Sequence, residues 1–149
     1  MAWLSRRALT RAEVQARLQR HGFPDVESVL DRLTAEEWLS DRAVADIEYR
    51  RACRHRYGPE RLRARLHARG VDPAVARAVM GELSSEDVRE RAREALLGVI
   101  SKQGIPDDEK GRLRLVRRLM RRGFPGAVIA RALDSLQANT LGGEEDHDG

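Results

Sequence analysis

The stretch Leu62-Arg63-Ala64-Arg65-Leu66-His67-Ala68-Arg69-Gly70-Val71 decides the fold, because its grammar occurs twice more in the chain. Val14, Leu18, Gly22 and Phe23 come before it, and Leu115, Leu119, Gly123 and Phe124 after it, at the same spacing. A gap of four places each aliphatic pair on one face of a helix, and glycine is the residue that most readily takes the left-handed turn ending one. With glycine just past the helix, Leu18 and Phe23, Leu66 and Val71, and Leu119 and Phe124 are the pairs that touch across a Schellman cap. A proline follows each corner, Pro24, Pro73 or Pro125, and suits the first turn of a following helix. The unit reads as helix, glycine corner, helix.

The three glycines stand 48 and 53 residues apart, too far for two short helices, so each repeat needs a third. Ser40 and Asp41 offer an N-cap for a segment running to about Arg56. Ser84 or Ser85, followed by Glu86 and Asp87, offers one for a segment running to about Ser101, in which Val88, Ala92, Ala95, Leu96 and Val99 recur with a period near 3.6. Thr10 and Glu13 match the capping box that starts the first helix. No segment alternates with period two, so no strand is expected.

The expected fold is all-α, with tandem three-helix repeats stacked into an elongated, curved array. The first repeat covers 1–57 with a short N-terminal lead, the second 58–104, and an incomplete third of two helices 105–138. A flexible tail, 139–149, carries Glu144, Glu145, Asp146 and Asp148. Repeats of about 45 residues are near the lower limit for independent folding, so neighbours should lean on each other.

No run of about 18 apolar residues and no secretory leader is present, which predicts a cytoplasmic protein that crosses no membrane. The single cysteine, Cys53, cannot form an internal disulfide and reads as a packing residue. His21, His55, His67 and His147 show no metal spacing, and no glycine-rich phosphate loop occurs, so no catalytic residue, metal or cofactor is expected. With six aromatic residues in the whole chain, Trp38 reads as a core or inter-repeat anchor rather than a base-stacking platform.

Charge carries the functional hint. There are 28 basic and 24 acidic residues, and with four of the acids in the tail the rest of the chain sets 28 against 20. Only Lys102 and Lys110 are lysine. Arginine also follows the repeat. Arg17, Arg65 and Arg118 precede the repeat leucine, with His21, Arg69 and Arg122 one turn later and Arg61 and Arg114 one turn earlier in the second and third copies. Arg61, Arg65 and Arg69 therefore line one helix face, as do Arg114, Arg118 and Arg122, with Arg117 and Arg121 alongside and Arg54 and Arg56 extending the region. Like charges at this spacing destabilise a helix by roughly 0.2–0.5 kcal/mol per pair. Guanidinium groups fork onto phosphate or carboxylate, so such stripes suit a polyanion, although nothing here reads base sequence. The plain alternative is a solvated face.

Glu37-Trp38-Leu39-Ser40-Asp41, then Tyr57-Gly58-Pro59-Glu60-Arg61-Leu62 running to the Gly70 corner, and Arg121-Arg122-Gly123-Phe124 near the end resemble the RecX family of recombinase regulators over about residues 8–136. Trp38, Ser40 and Val44 depart from the family pattern of tyrosine, aspartate and phenylalanine. The resemblance implies an all-helical regulator that performs no chemistry, binds the RecA-type recombinase filament on single-stranded DNA, and restrains its recombination and co-protease activities. The expected partners are that filament and, by direct contact, single- or double-stranded DNA, met by a monomer. The other reading is a free-standing DNA-binding protein whose trihelical units act as helix-turn-helix domains. Under the filament reading, replacing Arg61, Arg65 and Arg69 with alanine should weaken inhibition and leave helix content intact.

Overall fold

The protein, seen here in a computed structural model that describes residues 8–145, forms eight α-helices and no strand among those residues. They are α1 (Arg11–Arg20), α2 (Val26–Ala35), α3 (Asp41–His55), α4 (Pro59–Ala68), α5 (Pro73–Gly81), α6 (Ser85–Gln103), α7 (Glu109–Arg121) and α8 (Gly126–Glu145). The helix starts follow side-chain chemistry. Thr10 with Glu13, and Ser84 with Asp87, form reciprocal capping boxes, while Asp72 and Asp108 each accept an N–H from the first turn of α5 and α7.

All three glycine corners close with the bonds of a Schellman cap. Phe23 N donates to Leu18 O at 3.1 Å, Val71 N to Leu66 O at 3.0 Å and Phe124 N to Leu119 O at 3.3 Å. Gly22, Gly70 and Gly123 take φ of 69°, 69° and 95°, which a side chain would strain. The apolar half of the motif holds at only two of them. Val71 and Phe124 are buried, whereas Phe23 is 47% exposed.

Two corners also seat the start of another helix. Thr10 Oγ1 donates to Arg69 O at 2.7 Å, and a Cβ on Gly70 would lie 2.7 Å from that of Ala12. Gly58 N donates to Arg122 O at 2.8 Å and Glu60 N to Gly123 O at 3.1 Å, so the corner after α7 satisfies N–H groups that the start of α4 leaves over. A Cβ on Gly58 would sit 2.2 Å from Gly123 O, which explains the glycine there.

The contacts divide the chain into two compact units, Met1–Arg51 with Leu62–Glu82 and Ala52–Arg61 with Leu83–Gly149, a boundary that falls inside α3 and α4. In unit 1, Leu9, Val14, Leu18, Leu30 and Leu39 form a buried cluster. Unit 2 packs Ala92, Ala95, Leu96 and Val99 of α6 against Leu115, Leu119, Phe124, Ile129 and Leu133.

Three expectations are corrected. Trp38 is 57% exposed: Glu37 takes φ of 61° and Trp38 N closes back onto Leu33 O, a turn that sends Leu39 into the core instead. Cys53 is exposed, its sulfur accepting from Arg91 Nη2 at 2.7 Å. Past residue 138 the chain stays helical to Glu145, since Gln137 to Leu141 contains no breaker and Thr140 Oγ1 bonds back to Leu136 O. Of the residues named for the tail, Asp146 and Asp148, with His147, lie outside the described residues.

Candidate functional site

On α4 the expected stripe is not a solvated face. Arg65 Nε donates to Glu48 Oε2 at 2.7 Å, and Arg69 Nη1 reaches Glu48 Oε1 at 3.4 Å. Arg69 Nη2 also donates to Glu13 Oε1 at 3.0 Å and Ala8 O at 2.8 Å. Glu48 is 2% exposed, on the α3 face it shares with Val44, Ala45 and Ala52. Burial pushes its carboxyl up, but the hydrogen bond and charge of Arg65, and then those of Arg69, outweigh burial and hold it below the usual carboxylate range. Arg61, the third member of the stripe, stacks its guanidinium on Tyr57, 3.7 Å from the ring centroid. These arginines are occupied within the fold. The Arg61, Arg65 and Arg69 triple variant would therefore strip Glu48 and Glu13 of these partners, so a loss of stability is expected beside any loss of inhibition.

Asp41 has a related role that the sequence reading missed. Besides following the Ser40 cap, its Oδ1 accepts from Arg11 N at 2.9 Å and its Oδ2 from Asp72 N at 2.8 Å, tying the starts of α1 and α5 to α3. The available signal was the spacing of Asp41, Val44, Ala45, Glu48 and Ala52, which sets two carboxylates into an apolar helix stripe.

In unit 2 the expected arginines do come together. Arg114, Arg117, Arg118 and Arg121 line an open groove of about 700 Å³ with Gln103, Pro106, Asp107 and Asp108. Asp108 is engaged there, capping Gly111 N at 2.8 Å. All four arginines are exposed, and no carboxylate among the described residues pairs with them. Arg112 is the exception on α7, bonded to Asp134 and Gln137 of α8.

A second concavity of about 230 Å³ adjoins the first through Arg118 and Gln103, whose side chains bond at 3.3 Å. Arg56, Lys102, Arg118 and Arg122 surround it without a carboxylate. Arg56 ends α3 at φ 56°, a left-handed cap position that costs a non-glycine residue about 1 kcal/mol. Its guanidinium lies where a Cβ on Gly98 would be, 2.4 Å away, and glycine inside α6 costs about 1 kcal/mol relative to alanine. Lys102 was not among the expected site residues. Arg54 is exposed at the end of α3, and Arg17 is half-buried on α1.

Among the described residues no group of His, Cys, Asp or Glu could hold a metal ion, and no helix is long and apolar enough to cross a membrane. The fold and site define an all-helical repeat protein that turns one arginine-rich helix face to solvent.

The sequence profile described as "RecX, first three-helix domain" matches residues 1–33. Regulatory protein RecX of Mycobacterium avium is 37% identical over 127 residues, covering 81% of this chain and 72% of the relative. That of Thermus thermophilus is 37% identical over 130 residues, covering 87% and 83%, and that of Ralstonia nicotianae 33% identical over 151 residues, covering 97% and 90%. The crystal structure of RecX from Lactobacillus salivarius superposes with a TM-score of 0.79 at 16% identity, covering 92% of this chain and 91% of that one. The chain belongs to the RecX family of regulatory proteins.

Proposed function

We propose that the chain binds the RecA-type recombinase filament on single-stranded DNA and restrains its recombinase and co-protease activities by occupancy, without catalysis or cofactor, as a cytoplasmic monomer. Family membership supports the choice of partner. The observation that carries the mode of binding is the α7 face, where four exposed arginines line one groove and none pairs with a carboxylate among the described residues. Such a face suits a spiral of repeating negative charge, because each guanidinium forks onto a phosphate or carboxylate oxygen. Arg65 and Arg69 of α4 hold unit 1 together instead, and Arg61 is stacked on Tyr57, which narrows the gripping set to Arg114, Arg117, Arg118 and Arg121, with Arg56 and Arg122 beside them.

A comparison of binding to bare and to recombinase-coated single strands tests this reading. Tighter binding to the coated strand is expected, with inhibition of the recombinase's ATP hydrolysis in parallel. Equal or weaker binding to the coated strand would favour a free-standing DNA-binding protein, with affinity falling steeply as salt rises.

A further inference from the structure

The small concavity of unit 2 has three properties that the open groove beside it lacks. Its cations come from three places in the chain: Arg56 from the end of α3, Lys102 from the last turn of α6, and Arg118 and Arg122 from the end of α7. Among the described residues its lining contains no acidic side chain, whereas Asp107 and Asp108 face the groove. It is also where two departures from local preference meet, since a left-handed Arg56 lays its guanidinium across α6 in the space that Gly98 leaves empty. Left-handed non-glycine residues also occur at Asp25 and Glu37, but at Arg56 the departure coincides with a helix glycine whose empty space the guanidinium fills, and that pairing marks the spot as a candidate site.

We infer that this concavity is a phosphate seat that takes a backbone phosphodiester of single-stranded nucleic acid, with the α7 groove carrying the neighbouring phosphates of the same strand. The inference rests on the filament reading above and specifies which component of the filament this face touches. Four cations around about 230 Å³ suit a compact, singly charged tetrahedral group approached from several sides. A protein carboxylate carries the same single charge, but its neighbours along a polypeptide would not supply further charge at the regular interval that a nucleic-acid strand does. The continuity of the two depressions through Arg118 and Gln103 gives the strand a path along α7. Lining residues offer no aromatic ring for base stacking, so the contact is to the backbone and independent of sequence.

Fluorescence anisotropy of a labelled oligothymidylate, titrated with the full chain at several salt concentrations, tests it. Wild type should bind, with a log-log salt slope of about −0.7 per phosphate contacted. The variant Arg56→Gln, Lys102→Gln and Arg122→Gln should bind at least tenfold more weakly with a shallower slope. Gly98→Ala should weaken binding several-fold while raising the melting temperature, because the added methyl displaces Arg56 yet favours the helix, a combination that a purely structural glycine would not give. Unchanged affinity in the triple variant with native circular dichroism would overturn the inference, as would competition by polyglutamate as effective as that by unlabelled oligothymidylate. If wild type binds and inhibits the coated filament but shows no affinity for the bare oligonucleotide, the phosphate seat is wrong and the filament reading stands. If the chain binds the oligonucleotide but not the filament in preference, the filament reading is what fails.

Discussion

Glu48 shows how one buried carboxylate decides the meaning of two arginines. Being 2% exposed, it needs both Arg65 and Arg69, and it removes them from the surface that their spacing suggests. Its folded carboxyl is held below its ordinary value of about 4.3, so the ionised form favours the fold. That contribution is complete above the unfolded value and is lost as pH falls through the depressed folded one. Glu48→Gln should therefore destabilise the chain by about 2 kcal/mol at pH 7, below the 3–5 kcal/mol of a fully buried pair because Arg65 and Arg69 retain some access to water. Urea unfolding of wild type and variant should show the difference narrowing as pH falls below the usual carboxylate range. Arg69→Ala should lose a similar amount by the same measurement, since Glu13 and Glu48 both lose a partner. Arg117→Ala should be neutral to slightly stabilising, because it relieves repulsion on α7 at about 0.2–0.5 kcal/mol per pair.

At the scale of the element, the recurring device is a glycine-ended helix whose corner carbonyls receive the start of another helix. Gly58 makes the closest approach, so Gly58→Ala should cost roughly 3 kcal/mol or more: the methyl meets backbone rather than a movable side chain. Gly22→Ala should cost only about 1 kcal/mol, the left-handed strain alone, because nothing lies within 4 Å of the Cβ position. Thermal melts of the two variants would check the contrast. The helices themselves were legible in the sequence because each rests on local chemistry: the Thr10 and Ser84 caps, the leucine pairs spaced by four, and the glycine at each stop. Side-chain partners were less so. Phe23, Val71 and Phe124 occupy one position of one motif, yet only the last two are buried, since what covers them comes from elsewhere in the chain. Leu39 takes the buried place expected of Trp38 through a single left-handed residue, Glu37, which no glycine announces. Helix α8 runs past the expected bound at 138 and through glycines 142 and 143.

Over the whole molecule, arginine serves two purposes that composition cannot separate. Arg11, Arg42 (through Glu82), Arg65, Arg69 and Arg112 bond to carboxylates of other helices or their caps, while Arg114, Arg117, Arg118 and Arg121 stay exposed along one groove. The stripe on α4 and the stripe on α7 look alike in sequence, and the difference lies in the acids that the fold brings to each. Inhibition of recombinase ATP hydrolysis on single-stranded DNA, titrated with an Arg114→Gln, Arg117→Gln and Arg121→Gln variant that keeps the wild-type melting temperature, distinguishes them most directly. A half-inhibitory concentration raised at least tenfold is the predicted result. Inhibition as potent as that of the wild type would show that the exposed face of α7 grips nothing.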